Sequence, residues 1–336
     1  LKNTIKYYNA ATKNKDNASL KLSLSYLYIY LNKYSEAWNL FDSRIETSKF
    51  FKTKNRKIID YILKKKQTIS KNDKLLVLRE QGIGEEILFS SIYPDLIKFS
   101  KNVTIETSTK LITLFERSFN KKIFVKDGLF SNNLDNLKFF DVIIFAGSLC
   151  KIFRKNKKNF HQQRFLISNP KNDSLFKKTA FINTKKLRVG LSWKSVVSIY
   201  GNLKSLDISN FKTLFKNDRH IINFQYGSVK KEIKEIESEG CKIHSFKNLD
   251  LFNDIEGCVS ALKNIDVFVT VSNTTAHIAA AIGVKTILIC PKLSSTYFYW
   301  NNKNNSTLWY ENVKILRVSK SINETIIKVD KILEKL

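Results

Sequence analysis

Methionine is absent from all 336 residues, and the chain opens on Leu1, so it is expected to begin inside a longer protein. Residues 1–10 read LKNTIKYYNA and carry no apolar region of the kind that opens a signal peptide; a signal further upstream stays open. Long hydrophobic runs are also missing. Residues 139–146 are too few to span a bilayer, and the run 276–290 is broken by His277, Gly283 and Lys285. Only four cysteines occur, Cys150, Cys241, Cys258 and Cys290, and no two form a C-x-x-C pair. Each lies in an apolar or strand-like context. They read as reduced core residues of a cytoplasmic protein rather than a disulfide framework or a zinc site. No Asp-x-Asp occurs, which removes the common carboxylate pair for a divalent metal. Acidic residues number 30 against 58 basic ones, a net charge of +28. The excess is nearly all lysine and is spread along the whole chain beside asparagine, isoleucine and phenylalanine, as an AT-biased coding sequence produces. Arginine, whose fork suits bidentate phosphate and base contacts, is scarce. That weighs against nucleic acid as a partner and favours attraction to an anionic membrane surface or to acidic sugars.

What is present is ample core material. Hydrophobic residues make up 43% of the chain and aromatics 12%, enough for two folded domains with a small appendage. Three blocks follow. Residues 1–68 are helical: the segment 18–32 carries apolar residues at a helical period, and after a break at Asn32-Lys33 the spacing i, i+3, i+4, i+7 returns from Tyr34 to Phe41. This makes one helical hairpin of the tetratricopeptide kind, which must either end a longer array or pack on the next domain. Residues 72–182 alternate strand and helix, with strands at 74–79, 103–106, 122–125 and 140–145 and helices at 85–100 and 110–119. Residues 183–336 repeat the logic. Their strands are 187–193, 220–224, 242–245, 266–270 and 285–290, with helices at 207–215, 230–239, 254–263, 274–282 and 323–335. Such alternation implies doubly wound, mostly parallel sheets, whose ligands bind at the carboxyl ends of the strands.

The strongest local signal is the strand ending at Thr270, then Val271-Ser272-Asn273-Thr274-Thr275-Ala276-His277 leading into a small-residue helix. A loop rich in hydroxyl and amide groups at a helix N-terminus is a ready anion site. The same pattern also serves a plain N-cap at Asn273 or Thr274 with His277 a satisfied helix residue. Spacing alone leaves both open. In the first α/β block, Gln81-Gly82-Ile83-Gly84-Glu85-Glu86 offers glycines for a tight turn and two acids that complement a helix dipole.

The segment DVFVTVSNTTAHIAAAIGVKTILI resembles the donor site of glycosyltransferase family 9, the heptosyltransferase-like family, in the branch that carries tetratricopeptide repeats ahead of the transferase. His277, Ala279, Ala281 and Gly283 match the family's His-x-Ala-x-Ala-x-Gly, while Ser272 stands where the family carries an Asp. Further stretches agree in order and spacing: NKYSEAWNLFDSR, LREQGIGEEILFSSIYPDL, VTIETSTKLITLFERSF, GSLCKIFRKNKKNF, VGLSWKS, KSLDISNF, FQYG and STLWYENVKILR. The resemblance implies a GT-B fold, two Rossmann-like domains facing a cleft, with residues 72–182 on the acceptor side and 183–336 on the donor side. It implies donor contacts from Lys204, with Lys194 behind it, from Gln225 and Tyr226 beside the nucleotide, and from Ser272, Asn273, Thr274, Thr275 and His277. On the acceptor side it implies the loop of Gly82, Gly84 and Glu86 together with Ser148, and Glu85 in the place of the family's general-base Asp. Trp300, Trp309 and Tyr310 read as packing for the end of the second domain.

The function so implied is transfer of a sugar from a nucleotide-diphosphate donor to a glycan or protein hydroxyl, without metal or bound cofactor and with inversion. The repeats favour a protein partner. Glu85 and Ser272, departing from the family's acids, point to the other reading: an interaction protein whose transferase domain has lost its chemistry.

Overall fold

A computed structural model describes residues 17–196, 201–291, 297–300 and 305–336. The first sixteen residues of the expected helical block therefore lie outside the described residues. The chain divides into two compact units, Leu1–His161 and Gln162–Leu336.

The first unit begins with helices Ala18–Tyr30 and Tyr34–Phe41, joined where Asn32 takes φ 61°, and continues through Arg44–Thr47, Lys49–Lys52 and Arg56–Lys64. Asn17 caps the first helix by accepting from the Ser19 and Leu20 amides. Four parallel strands follow: β1 (Leu75–Leu78), β2 (Val103–Thr107), β3 (Phe124–Lys126) and β4 (Val142–Phe145), in the order β3-β2-β1-β4. All four residues of β1 and of β4 are buried, as expected of parallel strands covered on both faces, although β4 ends the sheet. The single helix expected over 85–100 is two, Ile83–Ser90 and Tyr93–Phe99. Pro94 is the physical reason, since it has no N–H to continue a helix but fits the first turn of a new one. The expected turn chemistry also differs. The left-handed residue of the 80–84 turn is Gln81 at φ 61°, while Gly82 is the extended N-cap of Ile83–Ser90.

The second unit holds β5 (Leu187–Ser192), β6 (Arg219–Asn223), β7 (Ile243–His244), β8 (Val267–Val271), β9 (Lys285–Cys290) and β10 (Val313–Arg317). They form one parallel sheet in the order β10-β9-β8-β5-β6-β7, the six-stranded doubly wound arrangement whose order reverses between β5 and β8. Gly190 in β5 is needed for packing, because a Cβ there would lie 2.5 Å from Ile265 and 3.0 Å from Phe224 and Phe268. Helix Thr274–Ile282 spans the expected residues and ends at Gly283 with φ 90°. The segment expected as a helix at 207–215 is instead a 3-10 stretch, Ile208–Leu214. There Asp207 and Asn210 cap one another, and Asn210 and Phe215 donate to carbonyls three residues back. Strand β10 and helix Pro170–Lys177 were not expected.

The expected boundary at 182/183 falls instead at 161/162, because residues 162–182 are bonded into the second unit. The Phe165 and Leu166 amides both donate to Ala281 O, Gln162 donates to Thr307 O at 2.6 Å, and Asn264 donates to Asp173 O at 3.1 Å. Cys150, Cys258 and Cys290 are buried, Cys241 is half-buried, and none forms a disulfide. Among the described residues no helix is long and apolar enough to cross a membrane.

Candidate functional site

Strand order reverses between β5 and β8, and the carboxyl ends of strands at such a reversal are where doubly wound sheets receive ligands. Ser192 ends β5, Gln225 follows β6, and Asn273 follows β8. Three of the predicted residues meet there. Asn273 accepts from the Ala276 amide as N-cap of Thr274–Ile282, and its Nδ2 donates to Ser192 Oγ at 2.8 Å and to Lys194 O at 3.1 Å. One side chain thus holds the helix N-terminus and the β5 loop together. Gln225 secures the same loop from the other side: its Oε1 accepts from Ser192 Oγ, the Trp193 amide and the Lys194 amide at 2.7–2.9 Å. Its Nε2 donates to Tyr226 O. Gln225, predicted beside the nucleotide, is buried and shapes the loop from within. Lys194 is half-exposed and paired with Glu232 at 2.7 Å, and the same Glu232 accepts from Trp193 Nε1. Burial pushes the Tyr226 phenol up from its ordinary value; it bonds to the Val196 backbone and to Thr274. Thr275 is buried.

A second group sits against the same helix. Lys204, last residue of the short helix Gly201–Lys204, is only 4% exposed, with its ammonium 4.4 Å from the centre of the Tyr297 ring and 3.3 Å from its hydroxyl. Tyr297 stacks on Tyr299, and Tyr299 meets the His277 ring edge-on at 5.0 Å. The Trp300 ring lies 4.8 Å from His277 and 5.3 Å from Tyr299, and Tyr310 Oη is 2.8 Å from the His277 Nδ1. Ser272 Oγ accepts from Trp300 Nε1 at 3.0 Å. Trp300, Trp309 and Tyr310 are all buried and pack this end of the sheet.

Burial, reinforced by Lys204, drives the His277 pKa from 6.5 down to about 3, so the imidazole is neutral. The unfolded chain takes up a proton on His277 below pH 6.5, whereas the folded chain does not until about pH 3. The stabilising contribution is therefore complete above pH 6.5 and lost progressively toward pH 3, by up to about 1.4 kcal/mol per pH unit. His277→Gln is expected to flatten this part of the acid limb, measurable as a smaller gap between urea midpoints at pH 4.5 and pH 7 than in the unsubstituted chain.

In the first unit the predicted acceptor-side residues divide. Glu85 is half-buried in the first turn of Ile83–Ser90, 3.4 Å (Oε2) from where a Cβ on Gly82 would lie. Gly82 is exposed and Gly84 buried. Glu86 turns inward: Oε1 pairs with Arg79 at 3.0 Å, and Oε2 accepts from Thr107 Oγ1 and the Ser108 amide at 2.7 and 2.9 Å. Burial raises its pKa, and it binds the loop to β2 rather than facing an acceptor. Ser148 is likewise committed, donating to Asp42 at 2.6 Å and accepting from Arg44 at 3.0 Å.

Sequence reasoning missed the partners of Ser148. Arg44 is 1% exposed and Glu80 fully buried; they make a two-pronged pair at 2.8 and 2.9 Å, and Glu80 also accepts from the Gly147 amide. It missed Glu106 as well, a buried acid in the middle of β2 that accepts from the Gly128, Phe130 and Ser131 amides and the Ser131 hydroxyl. Among the described residues no cluster of three or more His, Cys, Asp or Glu is placed to hold a metal ion.

No protein-family model matches the chain. Protein FlbA of Caulobacter vibrioides is 23% identical over 310 residues, which is 85% of this chain and 51% of that protein. The chain thus spans about half the length of that curated relative. Among solved structures, the glycosyl transferase family 9 from Veillonella parvula DSM 2008 superposes with a TM-score of 0.55 at 12% identity, over 78% of this chain and 98% of that one. The E. coli ADP-heptose lps heptosyltransferase II gives 0.52 at 11% identity, over 78% and 97%. The fold is the one these transferases share. At such identities the likeness concerns architecture: parallel α/β sheets of the GT-B kind. What the residues at these strand ends do has to be argued from their own chemistry.

Proposed function

We propose that the chain is a glycosyltransferase that moves a sugar from a nucleotide-diphosphate donor to a hydroxyl of a glycan or protein. The observation that carries this reading is the assembly at the carboxyl ends of β5, β6 and β8. There Asn273 locks a nine-residue helix with its positive end at the strand-order reversal, and the buried Lys204 lies close enough to act on the neutral His277. A helix N-terminus and a partly desolvated ammonium stabilise the charge that builds on a departing diphosphate. Because those groups meet the charge, the reading is metal-independent. Glu85, in the first turn of the helix Ile83–Ser90, is the proposed base for the acceptor hydroxyl, giving inversion in one displacement. Lysine excess suits an acceptor with acidic groups or one held at an anionic surface.

Calorimetric titration with ADP, GDP, UDP and CDP, followed by turnover with the matching nucleotide sugars, tests this. Glu85→Gln is expected to keep nucleoside diphosphate affinity and to lose turnover by about 10²–10⁴. Binding without turnover in both proteins would instead support an interaction protein on a transferase fold, and no binding by either would remove the donor site.

A further inference from the structure

We infer that the helical segment ahead of the first sheet is a working part of the proposed transfer site, with Arg44 as a positioning residue for the loop that carries Glu85; this rests on the reading of Glu85 given above.

Arg44 opens the short helix Arg44–Thr47, far in sequence from the sheet, yet its guanidinium lies at the carboxyl ends of β1 and β4, the two strands where the first sheet reverses its order. All five of its N–H groups are used. Nε and Nη2 hold the two oxygens of Glu80, Nη2 also reaches Ser148 Oγ, and Nη1 reaches Asp42 Oδ1 at 2.7 Å and Phe41 O at 3.3 Å. The Phe41 ring lies 4.4 Å beneath the guanidinium. Glu80 is two residues past β1 and Gly147 two past β4, and their bond ties the two strand ends together. A side chain at Gly147 would collide with both Glu80 and Arg44. Where an open doubly wound sheet leaves a crevice, this one is filled from the helical segment.

Only four residues separate Glu80 from Glu85, and the path between them is fixed: Gln81 is left-handed and Gly82 caps the next helix. The position of the Glu85 carboxyl is therefore set from Glu80, and Glu80 is set by Arg44. The helical segment reaches Glu85 by a second route. Tyr26 packs on Phe41 at 6.4 Å. Burial is the largest cause that pushes its phenol up to about 12, against the lowering effect of Arg44 and with Glu80 and Glu85 adding to the rise, so its hydroxyl shares the field of the proposed base. Productive geometry tolerates about 0.5 Å, and a 1 Å displacement of a catalytic group costs on the order of 100-fold in rate.

A buried ion pair can also be scaffolding alone, and the test separates the two roles. In the double variant Arg44→Met with Glu80→Met the charges leave together, so the chain is expected to stay folded and to lose far less stability than with Glu80 alone removed, keeping only the cost of the Gly147 amide left without its acceptor. Hydrogen exchange at residues 81–86 of the full chain is then expected to rise at least about tenfold, while the helix Thr274–Ile282 keeps its protection. Turnover of whichever ADP-, GDP-, UDP- or CDP-sugar the unsubstituted chain accepts should fall about 100-fold in kcat, with nucleoside diphosphate affinity unchanged. Exchange and kcat both at unsubstituted levels would overturn the inference. Should the double variant fail to fold, Arg44→Lys keeps the charge, loses the fork and is read the same way. If the unsubstituted chain neither binds nor turns over any member of the panel, the transferase reading fails, and the exchange at 81–86 alone decides whether Arg44 positions the loop.

Discussion

Glu80→Ala is expected to cost about 3–5 kcal/mol of stability, enough to threaten folding of a domain of ordinary stability. The size follows from what is left behind rather than from what is lost. Arg44 is 1% exposed, and burial alone would lower its pKa; the Glu80 and Asp42 carboxylates outweigh that and hold it above its ordinary value. With Glu80 gone, the cation stays protonated and buried, with only Asp42, itself 35% exposed, to answer it. The Gly147 amide loses its acceptor in the same step, and an unsatisfied buried N–H costs about 1–3 kcal/mol. Removing both charges of the pair avoids the first penalty, which is why the methionine double variant is predicted to be far milder. Urea unfolding of the two variants side by side checks the prediction. A Glu80→Ala midpoint no lower than that of the double variant would mean that Asp42 and water compensate the cation.

The apolar part of this architecture was legible because apolar periodicity reports burial directly. Helix Thr274–Ile282 and strand β9 occupy the expected residues, since a run of β-branched residues, an Asn cap and a closing Gly283 each act within a few positions. Strand β10 escaped notice because Val313–Arg317 lies on the edge of its sheet and mixes buried with exposed residues. Pro94 carried a local signal for the helix break, but the apolar run on either side of it masked it. The site was legible in part for the same reason. Asn273 shows itself as a cap, whereas nothing local distinguishes a Gln225 that faces a ligand from one that fastens a loop. Buried charges are the hardest case. Arg44 and Glu80 stand 36 residues apart, and their pairing is a property of the packed chain. The one local hint was the strand context of the two acids: Glu80 stands two residues past the all-apolar β1, and Glu106 lies within β2 between Ile105 and Thr107. Charged residues of that kind need a partner, and sequence does not say which.

Lys204→Met is expected to weaken nucleoside diphosphate binding by roughly 100-fold, about 2.7 kcal/mol, while leaving the fold intact. Methionine replaces the buried stem at similar volume and forfeits a contact between ammonium and the Tyr297 ring worth about 0.5–2 kcal/mol. The ammonium itself is the larger loss, since a diphosphate drawn from water needs a cation where water is excluded. Lys194→Met supplies the contrast. Lys194 is half-exposed and already paired with Glu232, so its loss should cost less than about tenfold. His277 serves as an internal reporter of whether the substitution acted electrostatically. Lys204 is one of the two causes that depress the His277 pKa, so removing it should let that pKa rise from about 3 toward the ordinary value, stopping short because burial remains. An NMR titration of the imidazole together with calorimetry on the same sample reads both effects. A raised His277 pKa with nucleoside diphosphate affinity unchanged would show that the cation was removed and was not holding phosphate. The donor would then have to be placed elsewhere on the second sheet.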